Sequence, residues 1–307
     1  MHDLSIDRAS LIALILETLN IGISTTLSAA TAQLILKKAH SNSSRHLLGT
    51  LSLIWVLCVS HWIIDIVRAS QAFIDSPDGA IAYYDLVSNS LEAAKDGVYI
   101  TVTLVADHFM IYRLFVVWNR NWLIVVLPIL LWIGAAISGY IVTHLLLLAG
   151  QGNLFISSLA PWALTFFTMS LSLNVICTLL IAGRILWTNS KVRTMRSGRN
   201  HVHTVVMVLV ESAAMYSLSL SVLLALYDLG LNSQYTLLDW TTSLIGIAFS
   251  LIIYRLAMAS ANVPPSILSG RSRQDTSYPL TRVNVTHIVE VDQEVYDAER
   301  STDNKGP

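Results

Sequence analysis

The chain has 307 residues, 54% hydrophobic and only 13% charged, with a net charge of −1. Soluble domains carry about 25% charged residues, so the composition points away from a soluble enzyme and toward a polytopic membrane protein. A balance this close to zero gives no global basic field for nucleic acid.

Seven apolar stretches reach the roughly 17–25 residues that cross a bilayer as a helix. They lie near 11–36, 47–67, 97–118, 122–147, 161–187, 203–229 and 235–258. The expected fold is an all-α membrane protein, a seven-transmembrane helix bundle over residues 1–265. After Pro264-Pro265 the composition turns polar and rich in Ser/Thr, which predicts a flexible cytosolic tail over 266–307. The first stretch holds Glu17 and Asn20 and follows Asp3 and Asp7, a pattern that fits an uncleaved span better than a secretory signal. Between spans two and three, the stretch from Ala80 to Val87 predicts a short interfacial helix.

Orientation follows from the basic residues between spans. Lys37, Lys38, Arg45, Arg120, Lys191, Arg193, Arg196, Arg199, Arg271 and Arg273 fall on one side, against Arg8, Arg68 and Lys95 on the other. The N-terminus is therefore expected outside and the C-terminus in the cytosol. Both glycosylation sequons, at Asn42 and Asn284, then face the cytosol. Glycosidase treatment should leave the mass unchanged; a shift would reverse the topology.

Ionisable groups inside spans cost about 2.5–3.5 kcal/mol each on insertion scales unless they are paired or wetted. Span three carries Asp107, His108 and Arg113. Asp107 lies about 16 Å from the inner end of its helix, and His61 of span two is expected at comparable depth. A contact between Asp107 and His61 would satisfy both, as a buried polar pocket or as a plain interhelical hydrogen bond, with His108 facing the first or fourth span. Arg113 lies in the inner third, where Glu211 of span six is a candidate partner, as a switch or a static strut; the alternative is that Arg113 snorkels. Asp65 and Arg68 are spaced for an interfacial pair. Glu17, Asn20, Asp65 and Asp239 either line an outer vestibule or anchor at the headgroups. Cys58 and Cys177 sit in apolar runs as small hydrophobes.

Several chemistries lack their residues. A retinal Schiff base needs a lysine in span seven, and the five lysines (Lys37, Lys38, Lys95, Lys191, Lys305) all fall outside the predicted spans. His61, His108 and His144 are scattered in depth, unlike the converging ligands of a zinc hydrolase. No phosphate loop, dinucleotide fingerprint or Gly-x-Ser-x-Gly elbow is present. No catalytic residue, cofactor or metal site is therefore expected. Matching Pro/Gly-broken segments, which a two-repeat transporter would show, are not evident.

Span three ends in Tyr112-Arg113-x-x-Val116-Val117-Trp118-Asn119-x-x-Trp122, and span five in Asn174…Arg184-Ile185. Span six carries Glu211-Ser-Ala-Ala-Met-Tyr-Ser217, and span seven Gly246-Ile-Ala-Phe-Ser-Leu-Ile-Ile253 followed by Arg255. Together these resemble a large group of uncharacterised seven-span membrane proteins of mushroom-forming fungi, over most of residues 10–265. The resemblance implies an integral membrane protein with no activity to carry over. The likeness to G-protein-coupled receptors is one of topology alone. The functional expectation is a receptor-like, sensory protein of the plasma membrane or an endomembrane. It would take a small-molecule or lipid ligand and meet a cytosolic signalling partner at the basic loops. The alternative is a small-solute permease using Asp107 and His61.

Overall fold

The computed structural model describes residues 4–37, 42–77, 79–85, 90–148, 156–192 and 200–261. The predicted tail, and the basic loop between spans five and six, lie outside them. Among the described residues every regular element is helical: α1 (Ile6–Leu36), α2 (Asn42–Ser70), α3 (Gly79–Asp85), α4 (Ser90–Val117), α5 (Trp122–Leu148), α6 (Ile156–Val192), α7 (Asn200–Asp228) and α8 (Ser233–Ala261). Six of these (α1, α2, α4, α5, α6 and α8) are long and apolar enough to cross a membrane. In α7 the described apolar stretch is the shorter Ala213–Asp228.

The long helices form a closed ring in chain order, with α8 packed back on α1. Helix α4 sits centrally, against α2, α5, α6 and α8. Large apolar side chains such as Leu19, Leu123, Leu130 and Leu218 are more than 60% exposed on the outer surface. A surface of that kind is stable against lipid rather than water. The chain is thus a membrane-embedded, multi-pass helical protein.

Association inside lipid relies on close packing and hydrogen bonds between helices, since lipid tails are as apolar as leucine. The α1–α8 seam shows both. Asn20 donates to Ser243 at 3.1 Å, and Ser28 shares a 2.9 Å hydrogen bond with Ser250. Gly246 of α8 lies so near α1 that a Cβ there would fall 2.8 Å from Ser24 Oγ. Trp55 donates to Thr25 at 3.1 Å, joining α2 to α1, and Trp132 donates to the Leu104 carbonyl at 2.9 Å, joining α5 to α4.

The helix ends differ from the predicted spans for a common reason. A hydropathy reading stops at the first charge, whereas the backbone continues while its hydrogen bonds do. Helix α4 begins at Ser90, not near 97, and so carries Glu92, Lys95 and Asp96 on its first turns. Lys95 is accordingly inside a membrane-length helix, correcting its predicted loop position. Helix α2 runs on to Ser70 and widens into a π-turn over Gln71–Asp75. The expected interfacial helix is α3. Its Tyr83 donates to Gln71 at 2.7 Å, and its Tyr84 ring packs 5.4 Å from the Arg68 guanidinium. Burial pushes the Tyr84 phenol up to about 12, so the ring faces Arg68 as a neutral group.

The turn between α4 and α5 is tight, with Asn119 and Arg120 both at positive φ (51° and 59°). Arg120 N–H donates to the Phe115 carbonyl at 2.8 Å, and the Asn121 side chain caps the Leu123 N–H at 3.0 Å. Helix α7 ends in a Schellman cap. Gly230 sits at φ 64° while Leu231 N–H reaches back to the Leu226 carbonyl at 3.1 Å.

Candidate functional site

Two polar clusters lie inside the bundle at different depths. The first fills the end carrying α3, where α1, α2, α4 and α8 converge. Glu17 Oε1 of α1 lies 2.7 Å from His61 Nδ1 of α2, both fully buried. The opposite ring nitrogen, Nε2, stands 3.8 Å from Asp239 Oδ1 of α8. Lys95 Nζ of α4 sits 2.8 Å from Asp239 Oδ1, and donates to Asp239 Oδ2 at 3.0 Å and to Asp65 Oδ1 of α2 at 3.2 Å. Arg68 closes the chain, 3.6 Å from Asp65 and in direct contact with Glu92 of α4. Asp96 is within electrostatic reach of Lys95, Asp239 and Arg68.

The ion-paired chain holds four carboxylates (Glu17, Asp65, Glu92, Asp239) against two permanent cations, Lys95 and Arg68. Even a protonated His61 leaves one carboxylate in excess. Asp96 beside the chain adds a further carboxylate, and an excess of this kind in lipid is costly unless a proton or another positive group compensates it. Several polar atoms are also left without a hydrogen bond: Glu17 Oε2, His61 Nε2, Arg68 Nε and Asp239 Oδ1. Asp239 Oδ1 is close to Lys95 but off its hydrogen-bond direction. A hydrogen on His61 Nε2 would need to close less than 1 Å to meet Asp239. The His61 ring thus lies between two carboxylates, Glu17 at hydrogen-bond distance and Asp239 just beyond it, and joins three helices.

The second cluster is nearer the α4–α5 turn. Ser170 of α6 donates to Asp107 Oδ2 at 2.7 Å, and Tyr216 OH of α7 lies 3.3 Å from Ser170 Oγ. Asn174 of α6 accepts from Thr178 at 3.2 Å. A cavity of about 30 Å³ adjoins them, lined by Asp107, Asn174, Tyr216, Met110, Phe249 and Ile252 among others. That is room for a water or two.

These positions correct the expected pairings. His61 meets Glu17 and Asp239, and Asp107 meets Ser170, so the two do not touch. Helix α2 begins at Asn42, which puts His61 about 28 Å along it, whereas Asp107 is only about 15 Å from the end of α4. His108 belongs to neither cluster: it is exposed and stacks 5.6 Å from Trp132 of α5, the fourth span. Asp65–Arg68 is a buried link rather than an interfacial pair. Glu17, Asp65 and Asp239 do converge, as a packed ionic cluster instead of an open vestibule. Lys95, its central cation, went unrecognised; its i, i+3 spacing from Glu92 was the available sign that the helix starts early.

Arg113 and Glu211 form no ion pair. Glu211 is exposed on α7, roughly 160° around the helix from buried Ala213. Arg113 lies 5.9 Å from the Phe109 ring, and its Nη1 has no hydrogen-bond partner. Exchanging their charges should therefore rescue nothing: the double swap should unfold at the midpoint given by the sum of the two single changes. A recovery above that sum would establish a pair. His201 and His203 have side chains outside the described residues. Among the described residues, no three His, Cys, Asp or Glu side chains converge to hold a metal ion.

No family model matches the sequence, and no curated protein or solved structure matches it either.

Proposed function

We propose that this multi-pass membrane protein is receptor-like, a sensor whose stimulus acts on the buried ionic chain from Glu17 to Glu92. The observation that carries this reading is the chain itself, which joins α1, α2, α4 and α8 with more carboxylates than cations and an unpartnered His61 Nε2. Structure that merely holds helices together is served at lower cost by apolar packing. A buried cluster with an odd proton is bistable: moving one charge changes which helices attract each other. With the N-terminus outside and the basic loops in the cytosol, the chain lies in the outer half, where a small molecule or lipid arriving from that side reaches it first. The cytosolic loops around Lys191, Arg193, Arg196 and Arg199 would then meet the signalling partner. The resemblance to fungal seven-span proteins, drawn from short stretches of spans three, five, six and seven, carries no activity. We assign the protein no catalytic role.

The test starts from a thermal-shift screen of the purified full chain against lipids, sterols and small metabolites, since a bound ligand raises the unfolding midpoint by mass action. A stabilising compound that drives nucleotide exchange on a co-expressed G protein, with the response lost in Asp239→Asn, supports the sensor. Counterflow of that compound in proteoliposomes without exchange would make the protein a permease instead.

A further inference from the structure

We infer that the cavity beside Asp107 is a binding site for a single monovalent inorganic cation, sodium by size. Asp107 is 1% exposed and about 15 Å inside its helix, where an ionised carboxylate needs a counter-charge. The clusters described above leave it none. Lys95 and His61 are committed to the other end of the bundle, and among the described residues no charged group pairs with Asp107, whose hydrogen bond comes from Ser170. A carboxylate offers about four acceptor positions, and Ser170 fills one.

The surroundings select the ligand. Besides the carboxylate, the lining supplies the Asn174 amide and the Tyr216 hydroxyl, with Ser170 bonded to Asp107 and Tyr216 beside it, a hard, neutral set suited to alkali or alkaline-earth ions rather than transition metals. A single carboxylate balances one positive charge, and a divalent ion would remain half uncompensated in an apolar wall of Met110, Phe249 and Ile252. The volume of about 30 Å³ is enough for an ion with a water. The site draws on α4, α6, α7 and α8, so an ion there would tie α6 and α7, which the Glu17–Glu92 chain does not reach, to α4 and α8. This inference is independent of the sensory reading.

The experiment uses the purified full chain in detergent at fixed pH and ionic strength, with sodium chloride replaced stepwise by choline chloride. Sodium should raise the unfolding temperature by about 3 °C at ten times its dissociation constant and further with the logarithm of its concentration above that. Radioactive sodium should bind at one ion per chain. Asp107→Asn, nearly isosteric and still able to accept from Ser170, should lose both effects. Asn174→Leu, which fills the cavity and keeps the carboxylate, should lose them too and serves if Asp107→Asn fails to fold. Equal unfolding temperatures in sodium and choline would overturn the site, as would a sodium effect that survives both substitutions. So would a dependence on pH alone, which would mark Asp107 as a proton site.

Discussion

Replacing Lys95 with Met should cost about 3–5 kcal/mol of stability, the penalty for stranding buried charges by removing their partner. Lys95 is 3% exposed and is the shared cation of Asp65 and Asp239, at 2.8–3.2 Å. Without it, both carboxylates face an excess of negative charge that already exists in the cluster, with Arg68 left to serve Asp65 and Glu92. The thermal or denaturant midpoint of the purified protein measures the loss. The double variant Lys95→Met with Asp239→Asn should recover much of it, because it removes the stranded charge as well as the cation. If Lys95→Met unfolds like the parent, the cluster is wetted and cheap, and its role as a buried ionic switch fails with it.

Gly139→Val should cost about 1–3 kcal/mol by overpacking. A Cβ at Gly139 of α5 would lie 2.7 Å from Ile100 Cγ2 of α4 and 3.1–3.2 Å from the Phe166 ring of α6. Both neighbours are buried, and the β-branched Ile100 has little rotamer freedom with which to retreat. Gly22 is the control, since nothing lies within 4 Å of a Cβ there. Gly22→Ala should be neutral or gain up to about 1 kcal/mol from helix propensity. Equal effects at the two glycines in the same unfolding assay would show that the α4–α5–α6 contact is loose.

Much of the site was legible as a set of residues and little of it as a set of pairs. Glu17, Asp65 and Asp239 could be grouped from sequence because each interrupts an apolar run at a similar distance from the same end. Their partners could not be named. Whether His61 turns to Asp107 or to Glu17 depends on the rotation of α2 about its axis and on where that helix starts, and a uniformly apolar surface encodes neither. Arg113 and Glu211 failed as a pair for the same reason. Their heights agreed, but the faces they occupy are set by which side chains of α4 and α7 pack inward.

Sequence alone determined that the chain lies in a membrane, because length and hydropathy decide the transfer of a helix into lipid one segment at a time. It also located α3 and the tight turn at Arg120, both fixed by local composition and spacing. Tertiary structure decided that Lys95 is buried, that α8 closes on α1 through Ser28, Gly246 and Ser250, and that Asp107 faces a cavity. These follow from the rotation and depth at which whole helices pack, a balance of many small contacts that no single segment contains.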